Sequence, residues 1–193
     1  MRQLTFSAAI LLAMCFLTAC DKNSDVIWDI SPIEFTILMT DSEGHDLLDS
    51  TYQGNLIKDI YVTYQGEDYS LMTEQEYLEN MYEKAGTRAY MPHFYGLMLR
   101  QYWNPITSSY DCYKMVFGEF DGTDNIDRRE ITLHLPENHH VRLAYSNNFK
   151  WKSNGEPKIK RHFYLDDKEL EGGYFYLRYS KTGGCEYITN GTK

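Results

Sequence analysis

The sequence predicts a mostly β protein: an antiparallel β-sandwich, immunoglobulin-like or transthyretin-like, with one short helix inserted. Three observations predict it. Apolar residues recur with period two over most of the chain, the runs are parted by Asp-Gly, Asn-Gly, Asn-Pro and Gly-Gly turns, and a single segment carries a helix start signal.

In the first run Ile33, Phe35, Ile37 and Met39 alternate with Glu34, Thr36, Leu38 and Thr40, and Pro32 sits at the start, where a missing N–H donor is tolerable. Asp41-Ser42-Glu43-Gly44 then turns the chain. A loop through Gly54 leads to Ile60, Val62 and Tyr64, and Gln65-Gly66-Glu67-Asp68 turns into Tyr69 and Leu71. Thr73-Glu74-Gln75-Glu76 matches the capping box. Behind it Tyr77, Leu78, Met81, Tyr82 and Ala85 form one helical stripe that ends at Gly86, so a helix of about three turns is expected to cover a sheet face or edge. Strand signals return in Ala89 to Tyr102, Tyr110 to Phe120, Arg128 to Leu135, Val141 to Tyr145, Ile159 to Leu165 and Tyr174 to Tyr179.

Ahead of the strands, Arg2 and the apolar run Leu4 to Leu17 have the form of a secretory signal, too short to span a bilayer comfortably. Leu17-Thr18-Ala19-Cys20 resembles the bacterial lipobox, whose cysteine is acylated and becomes the first mature residue. Residues 1–19 are therefore expected to be removed, Cys20 to carry the lipid, residues 20–25 to form a polar tether, and residues 26–193 to form one domain. Each buried methylene of such an anchor adds about 0.8 kcal/mol of membrane affinity, which makes the membrane a partner through Cys20.

Charge narrows the other partners. The formal net charge of −9 becomes −10 once Arg2 leaves, and a chain this acidic is not expected to bind nucleic acid or an anionic bilayer face.

Loss of Cys15 and acylation of Cys20 leave Cys112 and Cys185 as the thiols. Two outcomes are open: a disulfide joining a central strand to the C-terminal segment, or two separate thiols.

Several clusters invite chemistry. His134, His139 and His140 in HLPENHH offer three imidazoles, but a strand followed by a Pro turn need not bring them together, and no carboxylate or cysteine stands at a zinc spacing. Asp121-Gly122-Thr123-Asp124-Asn125-Ile126-Asp127 has the oxygens of a calcium loop but fails as an EF-hand, with Ile126 and Thr132 at positions six and twelve. The aromatics Tyr90, Phe94, Tyr95, Tyr102 and Trp103, in a chain with 17 Tyr, suit either a half-buried sheet or a platform for sugar rings, with Trp103 the one placed to sit at a loop. No nucleophile elbow, phosphate loop or HExxH motif occurs, so no catalytic residue, cofactor or metal ligand is assigned.

The lipobox, the strand IEFTILMTDSEGHDLL, the stretch IYVTYQGEDYSL, the strand KMVFGEF and the hairpin YLDDKEL together resemble the small lipoproteins of Bacteroidetes without assigned function. That resemblance implies a β-sandwich on the cell envelope, anchored to the outer membrane, and carries no active site with it. Asp49-Ser50-Thr51 also looks like the D-[ST]-x acceptor for O-glycosylation in that phylum. Two function classes follow as expectations: a non-enzymatic module that contacts glycan, peptide or an envelope or host protein, and an envelope hydrolase with a carboxylate-based site.

Overall fold

The computed structural model describes residues 28–73, 75–79, 96–104 and 108–188. Two compact units emerge. The larger holds residues 30–150 and 159–193; the smaller holds, among its described residues, Trp28, Asp29 and the hairpin tip 151–158. In that tip Gly155 takes a left-handed φ of 80°, its N–H reaches the Lys152 carbonyl at 3.0 Å, and Lys152 Nζ meets Glu156 at 2.7 Å.

The chain is mostly β, as the alternation predicts. Its strands are β1 (Ile33–Thr40), β2 (Tyr61–Tyr64), β3 (Glu67–Met72), β4 (Gly96–Asn104), β5 (Ser109–Phe120), β6 (Ile126–His134), β7 (His140–Trp151), β8 (Pro157–Leu165), β9 (Lys168–Leu170), β10 (Tyr174–Ser180) and β11 (Gly184–Tyr187). They form one mixed sheet in the order β11-β10-β1-β5-β4-β3-β2-β6-β7-β8-β9, which curls into a half-barrel.

Period two sets the core. Ile33, Phe35, Ile37 and Met39 are all buried on β1, and Phe175, Leu177 and Tyr179 repeat the pattern on β10. Phe35 is the centre of the aromatic packing, with its ring 5.6 Å from each of Tyr145, Phe163 and Phe175 and 6.5 Å from Phe120.

The sheet departs from the antiparallel expectation at two places. β1 runs parallel to β10 and β3 runs parallel to β4. Parallel neighbours need a crossover of a dozen or more residues, and residues 73–95 supply it between β3 and β4. The helix start signal therefore belongs to that crossover. Its capping box forms as written: the Thr73 N–H donates to Glu76 Oε2 at 2.7 Å, and the Glu76 N–H donates to Thr73 Oγ1 at 3.2 Å. Residues 75–79 are helical, with Tyr77 buried under the Arg100 guanidinium at 5.7 Å. Leu78, expected on the buried stripe, is exposed, because successive helical residues point about 100° apart and Tyr77 takes the sheet side. Met81, Tyr82, Ala85 and Gly86 lie outside the described residues, as do Cys20 and its tether.

Two short strands, β9 and β11, lie outside the runs read from periodicity. Asp166 and Asp167 make the β8–β9 turn with φ of 44° and 69°, the left-handed pair that a two-residue hairpin needs.

Candidate functional site

β4 and β5 pair from Gly96 opposite Gly118 to Asn104 opposite Ser109. β1 covers the other side of β5 from Phe120 to Met115, with a register shift that skips Glu119. Beyond Met115 the neighbour is a side chain: Asp46 Oδ2 accepts the Tyr113 N–H at 2.7 Å, while its other oxygen accepts the Leu48 N–H at 2.8 Å. Burial pushes the Asp46 carboxyl up despite those amides, which marks it as a structural group at the point where the core ends.

Past that point the hairpin carries exposed rings. A bulge between Tyr102 and Trp103 lets Asp111 be skipped, so Trp103 stands opposite Tyr110. Trp103 is 49% exposed and Tyr110 62%, with ring centroids 5.0 Å apart at an interplanar angle of 69°. Tyr102, one residue earlier, is half-buried beneath Lys114 Nζ at 5.7 Å. Of the aromatics singled out by sequence, Trp103 is thus presented to solvent and Tyr102 is covered; Tyr90, Phe94 and Tyr95 lie outside the described residues. Tyr110, expected at the start of a strand, joins Trp103 through the bulged register.

The histidines occupy a different place. Val62, Leu133 and Val141 line up across β2, β6 and β7 and are buried, so the next row, Tyr61, His134 and His140, lies on the opposite face. That row, with Asp59 and the turn residues Pro136 to His139, lines a cleft of about 710 Å³. The three imidazoles do not converge: His134 and His140 stand opposite each other in register, while His139 turns toward the Lys181 carbonyl at 3.4 Å. Among the described residues no three His, Cys, Asp or Glu side chains are grouped to hold a metal ion.

The Asp121 to Asp127 loop is held by protein atoms. Asp121 Oδ1 accepts the Thr123 N–H and hydroxyl at 2.7 and 2.8 Å, and the carbonyls of Gly122 and Asp124 accept both hydrogens of the Asn147 amide at 2.9 and 2.6 Å. Cys112 on β5 and Cys185 on β11 are free thiols with β1 and β10 between their strands. Burial pushes them up to about 11 and about 12.

A further group was not singled out by sequence. His45 Nδ1 and the Tyr52 hydroxyl both lie 2.8 Å from Asp41 Oδ2, and the His45 and Tyr52 rings stack at 4.8 Å. Partial burial raises the Asp41 carboxyl, but the bonds from His45, Tyr52 and the Glu43 and His45 amides outweigh it and hold the group far below the usual carboxylate range.

Comparison with protein-family models, with curated proteins and with solved structures finds no match. The chemistry of these sites therefore rests on their own geometry.

Proposed function

We propose that this chain is an exported lipoprotein, anchored through Cys20 to the outer membrane, whose body is a non-enzymatic binding module for glycan. One observation carries the glycan reading: the Trp103–Tyr110 pair, which stands exposed at the end of a hairpin beyond the core. Burying either ring in the protein would release about 1.5–3 kcal/mol, and the fold leaves both in water. Aromatic faces carry negative charge density that attracts the C–H groups of a sugar ring, and cross-strand pairing sets the two rings side by side before the ligand arrives. In this reading the curled sheet brings β1 and β8 together as the two walls of a sandwich would, with Phe35 against Phe163.

The acidity of the chain selects among glycans. A formal charge of −9 over the whole sequence disfavours uronate-rich or sulfated polymers, so the reading specifies neutral ones. Affinity electrophoresis in gels cast with neutral polysaccharides tests it. The wild-type protein should be retarded by at least one such gel, and the Trp103→Ala, Tyr110→Ala double variant should migrate freely. Equal retardation of both proteins, or none in any gel, would refute the platform.

The hydrolase reading is supported by one feature, the His45–Asp41 contact, in which a fixed carboxylate orients an imidazole as in many acid–base sites. Hydrolysis of glycan or peptide that disappears in His45→Ala would establish it in place of the binding reading.

A further inference from the structure

The cleft on the outer face of β2, β6 and β7 contains a histidine whose tautomer the structure determines. The Thr63 hydroxyl has one hydrogen and donates it to Asp68 Oδ1 at 2.6 Å. Thr63 Oγ1 also lies 2.9 Å from His134 Nε2, and having no second hydrogen to give, it accepts there. Nε2 of His134 therefore carries the proton, and in the neutral ring Nδ1 is a lone-pair acceptor. Among the described residues none donates to that nitrogen. The ring is fixed from a second side by Tyr61, which stacks on it at 4.3 Å and 3°.

The rest of the lining mixes donors and acceptors, with Asn138, His139 and His140 bringing N–H groups. Asp59 and Glu137 bring carboxylates, and Tyr61 brings an aromatic edge with a hydroxyl. Glu137 and Asn138 take left-handed backbone, φ 58° and 60°, in the turn between β6 and β7 that borders the cleft. The cleft, about 710 Å³, is open to solvent and has room for a sugar ring that keeps one face in water. Acceptors and donors spread over such a space match a ligand whose groups both donate and accept, as hydroxyls do.

We infer that this cleft is a second ligand site, taking a neutral saccharide unit whose hydroxyls donate to His134 Nδ1, Asp59 and Glu137. It shares the ligand class of the aromatic platform but none of its residues, so either can fail without the other.

Long-range proton–nitrogen correlation spectra of the histidine side chains, recorded in alkaline buffer where imidazoles are neutral, test it on the folded protein. His134 should show the Nε2–H pattern, and maltose, cellobiose or chitobiose should shift its Nδ1 resonance saturably. Thr63→Val should weaken that binding by about five-fold, the effect of losing one neutral hydrogen bond, and His134→Phe, which keeps a ring against Tyr61, should abolish it. Trp103→Ala should leave the His134 response unchanged. An Nδ1–H tautomer at His134, or an Nδ1 resonance unmoved by all three sugars, overturns the inference. A shift with spermidine and with no sugar overturns the ligand class.

Discussion

Phe35 of β1 and Phe163 of β8 meet edge to face at 5.6 Å although six strands lie between theirs in the sheet order. In a flat sheet the same strands would be about 34 Å apart, so this contact records how far the sheet curls. Phe35→Ala should cost about 3–5 kcal/mol in chemical denaturation, and a double-mutant cycle with Phe163→Ala should return a coupling of about 1 kcal/mol. Additive effects would mean that the two walls do not touch.

The thiols give a second prediction. Cys112 and Cys185 are both raised by burial, and each lies beside acids that disfavour the thiolate further. Native protein should react slowly with iodoacetamide at neutral pH, and denatured, unreduced protein should take up label at both positions. A linked Cys112–Cys185 peptide in non-reducing mass spectrometry would contradict the strand order, which puts β1 and β10 between them.

Asp41 should shape the acid limb of stability. Its folded-state carboxyl lies below the unfolded value of 3.8, so the unfolded chain binds more protons between the two values. The stabilisation is therefore complete above about pH 4 and is lost as pH falls through the folded-state value. Asp41→Asn should lower the thermal midpoint at neutral pH and make it less sensitive to acidification below about pH 4. A variant with the same acid limb as wild type would show that His45 and Tyr52 do not hold the carboxylate.

Much of this fold was legible in the sequence, for physical reasons that also explain the omissions. Ile33, Phe35, Ile37 and Met39 declare a strand because burial on one face requires period two, and Thr73 with Glu76 declares a helix start because both ends of the capping box lie within four residues. Nothing local declares that β1 meets β10 in parallel, since the partner is far along the chain. β9 and β11 are short edge strands with no buried position and one, too few to show a period, so β9 was legible only in the resemblance of the hairpin YLDDKEL. The same holds for the sites. Trp103 was visible as an aromatic before a turn, whereas its pairing with Tyr110 depends on a bulge, and the row Tyr61, His134, His140 depends on the register of three strands. The Asp41–His45 contact had a nearer signal, a carboxylate and an imidazole four residues apart around the Gly44 turn.

The anchor is tested apart from the body. Cys20→Ala should move the protein out of the detergent phase in a Triton X-114 partition, whereas a variant that stays there removes the lipid reading. Protease treatment of intact cells should shave the wild-type protein if it faces outward and spare a periplasmic control.

The most direct test of the binding account reads Trp103 itself. The chain has three tryptophans, so Trp28→Phe and Trp151→Phe leave Trp103 as the sole indole emitter. Free protein should show the red emission of an exposed indole, and the neutral polysaccharide that retards wild type should shift it to the blue saturably, an effect lost in Tyr110→Ala. An emission that stays unchanged while the polysaccharide still retards the protein would place binding elsewhere and contradict the aromatic platform.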